Sequence, residues 1–375
     1  MDEITLFMEN NKEAIIKDIK YLVASDSPSD NKTLADACKE RIQKLLKTYF
    51  GYAAEEIEQE EYGDHLKFVY GEGDETILIL SHYDTVWDEG NLDLVEADNK
   101  IYGPGILDMK GGLVQTIWAL KAIKDLYLPL NKSIVFLCTS DEEVGSPTSE
   151  ALITKEASNS TAVLVTEPPE AKTKALKSGR KGSSRYYVDI HGRAAHSGNN
   201  HEDGINAIRE AAQHIVDLES MTDYDKGTTI NVGSIEGGGK LNVIPDHARF
   251  GVNVRVETEE EQSRIDDYMK HLFSYTEGIE IEVSGGVNRP PMVKDENTIT
   301  LLAHAQEAAD EIGIGEIKDA FVGGGSDANF TANLGVPTLD GLGAVGLGIH
   351  AHNEHIIADE IPERTSFLCR LILSL

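Results

Sequence analysis

Three short apolar runs constrain this chain more than any other feature: "TILIL" at 76–80, "SIVFLC" at 133–138 and "AVLVT" at 162–166. None alternates with polar residues, which is the pattern of strands buried on both faces. Such strands need helices above and below them. Helical stretches do separate the runs, notably "GGLVQTIWALKAIKDL" at 111–126. The alternation predicts an α/β fold with a mixed, mostly parallel sheet covered by helices. The first fifty residues read mostly as helix, with "NKTLADACKERIQKLLKTYF" following the "SDSPSD" loop.

The pattern changes near residue 175. "SSRYYVDIHG" alternates as a half-buried strand, "DGINAIREAAQHIVDLE" is a helix, and "TTINVGSIEGG" and "HARFGVNVRVE" are strands. "EEEQSRIDDYMKHLFSY" is again a helix and "GIEIEVSGG" a strand. That order, β-α-β-β-α-β, is the ferredoxin-like arrangement. It predicts a first domain from 1–174 plus 288–375, with a self-contained α+β module at 175–287 inserted in it.

Composition excludes several function classes. With 34 Lys and Arg against 65 Asp and Glu, the formal charge is −31. Such a surface repels nucleic acid and anionic membranes, and serves solubility. No run of about 18 apolar residues suggests a membrane span. The start, "MDEITLFMENNKEAI", lacks the basic and apolar regions of a secretory signal. Cys38, Cys138 and Cys369 are far apart and none has CxxC spacing. That pattern predicts a reducing, cytoplasmic setting and no cysteine-based zinc site.

The chemistry gathers just beyond the apolar runs. "LILSHYDTV" puts His82 and Asp84 past the first. "GPGILDMKGG" puts Asp108 in a glycine-rich turn before a helix. "CTSDEEVG" supplies Asp141, Glu142 and Glu143, and "VTEPPE" supplies Glu167. A fifth segment, "GIHAHNEH", carries His350, His352, Glu354 and His355. In open α/β sheets the strand ends form the ligand crevice, so these distant loops are expected to converge. Histidine nitrogen and carboxylate oxygen without cysteine suit zinc, with manganese and cobalt as alternatives. So many carboxylates in one pocket need cations to neutralise them. Adjacent Glu142 and Glu143 are then tolerable if one binds a metal and the other faces the reacting water. The fifth segment is not an HExxH helix, which excludes a thermolysin-like site.

The segments "SHYDTV", "GPGILDMKGG", "SDEEVGS", "TEP", "GRAAHSG", "GGGSDAN" and "GLGIHAHNE", in this order and across nearly the whole chain, resemble the co-catalytic zinc metallopeptidases and amidohydrolases. That family includes glutamate carboxypeptidase, aminoacylase, acetylornithine deacetylase and peptidase T, and the glutamate carboxypeptidase branch is the nearest in pattern. The resemblance implies two Zn2+ per chain (or Mn2+ or Co2+). His82 and Glu167 would bind one, Glu143 and His350 the other, and Asp108 would bridge them. Asp84 would accept the His82 imidazole N–H and fix its tautomer. Glu142 would be the general base. His350 has His352 as its rival for the ligand position, and Asp141 is expected to shape its loop.

The resemblance also implies that the first domain is the catalytic di-metal domain and that the inserted module is a lid or dimerisation domain. His196 in "GRAAHSGNN" would stabilise the carbonyl oxyanion from the partner chain of a homodimer. Asn242 in "GGGKLNVIPD" would be a polar substrate contact. Arg289 in "VNRPPM", with Arg255 as the weaker candidate, would pair with a substrate carboxylate. Gly324, amid Gly323 to Gly325, would let backbone N–H groups approach the substrate, and no Gly-Lys-Ser/Thr follows to make a phosphate loop. The expected substrate is a small peptide or N-acyl amino acid with a free carboxylate, cleaved as a carboxypeptidase would cleave it. An N-acyl amino acid deacylase or dipeptidase is the alternative within the class. A non-catalytic peptide- or metal-binding homologue is the alternative outside it, disfavoured because Glu142 is present.

Overall fold

A computed structural model describes residues 2–375. The chain forms two compact units: Met1–Gly179, Lys294–Val322 and Ser326–Leu375 make the first, and Arg180–Val293 with Gly323–Gly325 the second. Among the described residues, no helix is long and apolar enough to cross a membrane.

The first unit is built on a six-stranded sheet. Its order is Glu55–Ile57, His65–Tyr70, Ser133–Thr139, Thr76–His82, Ala162–Val165, Thr338–Leu339. The three apolar runs are its centre, and Thr76–His82 pairs in parallel with both Ser133–Thr139 and Ala162–Val165. Only the pairings that involve His65–Tyr70 are antiparallel. The central strands are buried almost throughout, which is why they carry no alternation. The helix Gly111–Asp125 packs against the C-terminal helix Ile361–Ser374 and is enclosed on nearly all sides. A smaller four-stranded sheet in the same unit runs Gly346–Leu347, His355–Ile357, Lys100–Tyr102, Val95–Ala97.

The second unit is an antiparallel sheet ordered Thr229–Gly237, His247–Val256, Gly182–His191, Glu280–Arg289, with helices Ala207–Ser220 and Glu259–Lys270. Tyr186, Val188 and Ile190 point to one face and join Phe250, Val252, Val254 and Ala211 in its own core. The element order is the ferredoxin-like one. The inserted stretch begins at Arg180 and ends at Val293, a few residues later than the alternation suggests, and Gly323–Gly325 joins the same unit. Leu176–Arg180 forms a strand beside Asp319–Val322, and Glu280–Arg289 stays paired with Gly182–His191 as far as Arg289↔Ser183.

A buried acid–base cluster ties the helix Lys32–Phe50 to the sheet. Asp64 accepts from Lys32 Nζ at 2.5 Å and Lys39 Nζ at 2.9 Å, and Lys39 also reaches Glu56 at 2.8 Å. Burial opposes the Asp64 charge, but the two lysines and the Gln59 N–H outweigh it and hold the carboxyl at about 2. A folded-state pKa below the unfolded one stabilises the fold above about pH 4, and that stabilisation is lost as pH falls towards 2. Asp64→Asn is therefore expected to lower stability at pH 6 by on the order of 1 kcal/mol, after allowance for solvent screening. The gap should close by about pH 2, as read by thermal melts over a pH series. A gap that persists undiminished at pH 2 would refute this account.

Candidate metal centre

The two sheets of the first unit bring the ligand candidates together. His82 ends its strand in register with Thr139. Parallel pairing sets the C-terminal ends of three strands at one edge, so Asp141–Glu143 and Glu167 emerge beside His82. Asp108 and His350 come from the smaller sheet, where His355 pairs with Tyr102. That pairing holds the loop after Tyr102, which leads to Asp108, next to the loop that carries His350.

Asp108 sits between the two imidazoles. Its Oδ1 lies 3.0 Å from His82 Nε2 and its Oδ2 lies 3.4 Å from His350 Nε2. His82 Nε2 is also 3.4 Å from Glu167 and 3.9 Å from Glu142. His350 Nε2 is 3.1 Å from Glu143. Ligand atoms of His82, Asp108 and Glu143 lie within 4.8 Å of one another, as do those of His82, Glu142 and Glu167. Of the two rival histidines, His350 faces Asp108 and Glu143, whereas His352 packs tilted against Trp87 with ring centroids 5.3 Å apart.

The electrostatics are those of acids crowded out of water. Burial, then the neighbouring Asp108 charge, raise Glu143 to about 7. Burial opposes the Asp108 charge too, but the His350 and His82 donors hold it ionised, well below the usual carboxylate range. Hydrogen bonds to Asp108 and Glu143 raise His350 to about 10. His82 would be lowered by burial, yet Asp108, Asp84 and Glu167 keep it well above its ordinary value. These acids thus require positive partners. The donor set, imidazole nitrogens and carboxylate oxygens with one carboxylate facing both rings, fits two divalent cations in that place.

Three buried carboxylates hold the loops. The His82 Nδ1–H lies 3.1 Å from the Asp84 carbonyl and 3.3 Å from its carboxylate. That carboxylate accepts from Ser29 Oγ at 2.6 Å and from the backbone N–H of Glu142 and Glu143 at 3.3 and 3.1 Å. Asp141 accepts from the N–H and hydroxyl of both Thr148 and Ser149, which closes its loop. Glu354 accepts from Leu107 N at 2.9 Å, Asp108 N at 3.2 Å, Gly105 N at 3.2 Å and Trp87 Nε1 at 2.7 Å. Its role in fixing the Asp108 turn is not evident from sequence, because its partners lie some 250 residues away along the chain. Its spacing from His350 is the sole cue.

The remaining candidates lie in the second unit. His196 is exposed, and its Nδ1 accepts the N–H of Gly198 and Asn199, both at 3.1 Å. Two donors at Nδ1 leave the proton on Nε2. Asn242 is exposed on the paired segment and accepts Ser197 N–H through its carbonyl at 3.0 Å. The Gly324 carbonyl accepts from Arg180 Nη1 at 2.9 Å. Arg255 and Arg289 flank Ser183 on neighbouring strands, so they share one face of the sheet. Arg185, two residues beyond Ser183, shares that face as well. Burial and the charges of Arg185 and Arg289 push Arg255 below the ordinary guanidinium range. Among the described residues, neither Arg185 nor Arg255 has a carboxylate partner. Sequence reasoning missed Arg185, although the alternation of "SSRYYVDIH" sets it on the outward face.

Fold and donor set together define a metal-dependent hydrolase. The chain belongs to the peptidase family M20/M25/M40, whose model matches residues 78–374. It is an enzyme of amide-bond hydrolysis. It is 32% identical over 323 residues to carboxypeptidase G2 of a Pseudomonas species, covering 82% of this chain and 75% of that protein. It is 29% identical over 311 residues to the succinyl-diaminopimelate desuccinylase of a Nitratiruptor species, with 78% and 82% covered. The solved aminopeptidase PepT of Bacillus cereus superposes with a TM-score of 0.75 at 25% identity, over 97% of this chain and 98% of that one.

The Glu354 contacts generate a test. Glu354→Ala leaves the N–H groups of Gly105, Leu107 and Asp108 without their acceptor. Its affinity for zinc, titrated against a competing chelator, is expected to fall by roughly 10- to 100-fold. Unchanged affinity would show that the Asp108 turn holds itself.

Proposed function

We propose that the protein is a di-zinc exopeptidase that releases a C-terminal acidic residue, a glutamate carboxypeptidase-like activity. The observation that carries the reading is Asp108, whose two oxygens each face a different imidazole amid three further carboxylates. Once held by His82, Glu167, Asp108, Glu143 and His350, a pair of zinc ions would polarise the amide carbonyl and acidify water. Glu142 takes the proton of the attacking water and delivers it to the departing amine nitrogen. Asp84 keeps the His82 ring in one tautomer while holding the Glu142 and Glu143 N–H groups. His196 offers its Nε2–H to the carbonyl oxygen as charge develops there, supplied from the second chain of a homodimer. Asn242 and the Gly324 backbone contact the substrate, and the chain works in the cytoplasm.

The choice of an acidic residue rests on the arginine face. Arg289 and Arg255 fork the terminal carboxylate, and Arg185 takes the side-chain carboxylate. A site with one arginine would serve any free carboxylate, whereas three like charges favour a dianion. The similarity to carboxypeptidase G2 supports a carboxypeptidase. The similarity to a desuccinylase supports N-acyl amino acid hydrolysis as the second reading.

Release of free amino acids, followed by mass spectrometry on zinc-loaded protein, tests both. The panel holds dipeptides, N-acetyl and N-succinyl amino acids and folyl-type conjugates that end in Glu, Asp, Leu, Lys or a blocked carboxylate. Preferred release of C-terminal Glu is expected, and preferred release from succinylated substrates would move the protein to the second reading. Glu142→Ala should keep both metals and lose roughly 10^3-fold in kcat; near-normal turnover would sink the assignment of the base. Arg185→Gln should raise KM for Glu-ending substrates about tenfold and leave Leu-ending ones within about twofold. Equal effects on both would remove Arg185 from substrate selection.

A further inference from the structure

His65, the first residue of the His65–Tyr70 strand, is fully buried and lies outside the ligand set. That strand runs antiparallel to Ser133–Thr139, with Leu66 opposite Cys138. Its first residue therefore lies beside the point where the Asp141–Gly145 turn leaves the sheet. His65 Nδ1 is 3.1 Å from Ser140 Oγ, just before the turn, and Nε2 is 3.0 Å from Thr148 Oγ1, just after it. One ring thus spans both ends of the segment that carries Glu142 and Glu143.

The protons can be counted. The Ser140 hydroxyl donates to the Gly63 carbonyl, so it accepts from His65, and Nδ1 carries a hydrogen. The Thr148 hydroxyl donates to Asp141 Oδ2 at 2.7 Å, and it accepts when Nε2 is protonated. When Nε2 is bare, Thr148 turns its proton to the ring, and Asp141 still keeps the Thr148 N–H at 2.7 Å and both Ser149 donors. The clamp closes in either protonation state by rotation of one hydroxyl.

We propose that His65 is a positioning residue for catalysis, which holds the turn bearing Glu142 by bonding Ser140 and Thr148 at its two ends. The inference rests on Glu142 being the base. A ring that acted only as core filling would be replaced by an apolar side chain at the cost of global stability alone. A clamp predicts a local effect that follows its two hydrogen bonds.

Hydrogen exchange on the metal-free chain separates these. His65→Leu should speed exchange of the Glu142, Glu143, Gly145 and Ser146 amides at least tenfold and leave those of Leu78 and Ile79 unchanged. In the zinc-loaded enzyme, kcat on a Glu-ending dipeptide should fall 10- to 100-fold with KM within threefold. His65→Asn, which retains the Ser140 contact, and His65→Gln, which retains the Thr148 contact, should each recover part of both effects. If His65→Leu does not fold, His65→Asn and His65→Gln carry the exchange test, each expected to speed the turn amides and to spare those of Leu78 and Ile79. Turn amides as protected as in the parent, or faster exchange spread evenly over strand and turn, would overturn the proposal. Normal turnover of Glu142→Ala would instead overturn the reading on which it rests, and would leave the exchange result standing.

Discussion

The structure depends on how several carboxylates are kept together where water is scarce. Asp108, Glu143, Glu167 and Glu142 share one pocket with two imidazoles. Each acid raises the cost of ionising the next, and Glu143, lifted to about 7, registers that pressure. Glu142 and Glu143 are consecutive and cannot separate, so the pressure is met by positive charge placed between them and Asp108. The sheet supplies that geometry. Parallel pairing delivers His82 and two acidic loops at one edge, and the smaller sheet brings Asp108 and His350 to the same place.

A pocket of mutually repelling groups would spread apart if its loops were free. What opposes the spreading is a second set of carboxylates that bind N–H groups instead of ligand atoms. Asp84 is the clearest case. One side chain touches the His82 ring and receives the N–H of Glu142 and Glu143, so a ligand from one strand and the turn of the next are located by one residue. Asp141 folds its own loop and Glu354 fixes the Asp108 turn. All three are buried. Each accepts two or more hydrogen bonds from fixed donors, so these side chains set position where apolar packing, which has no direction, cannot. Some of the acid that looks redundant in "CTSDEEVG" is therefore structural.

How much of this can be read from the chain follows from the range of each interaction. The uninterrupted runs and the switch to alternation near 175 are local, and they suffice for both architectures. The residues just past each run and the glycine-rich turn before a helix are also local, so His82, Asp108, Glu143 and Glu167 stand out before any fold is known. Glu354, Arg185 and His65 do not. Their partners are brought near only by sheet registers: His355 against Tyr102, Arg255 and Arg289 against Ser183, Leu66 against Cys138. The choice between His350 and His352 is likewise undecidable from spacing, since it depends on which ring the smaller sheet turns towards Asp108 and which meets Trp87.

The same logic gives meaning to the charge balance. With 65 acids and 34 basic residues, an arginine on this chain has acids to pair with almost anywhere. Arg264 and Arg370 do pair with them. Among the described residues Arg185 and Arg255 do not, and burial, then the charges of Arg185 and Arg289, depress the affinity of Arg255 for a proton. Leaving cations unanswered in an acidic protein costs free energy that any nearby Asp or Glu substitution on the facing strands would have relieved. An anion that comes and goes relieves it without a fixed partner, and only an anion that must be released benefits from that arrangement. On the proposed reading, the acids around Asp108 answer to cations and the arginines around Ser183 to a substrate carboxylate.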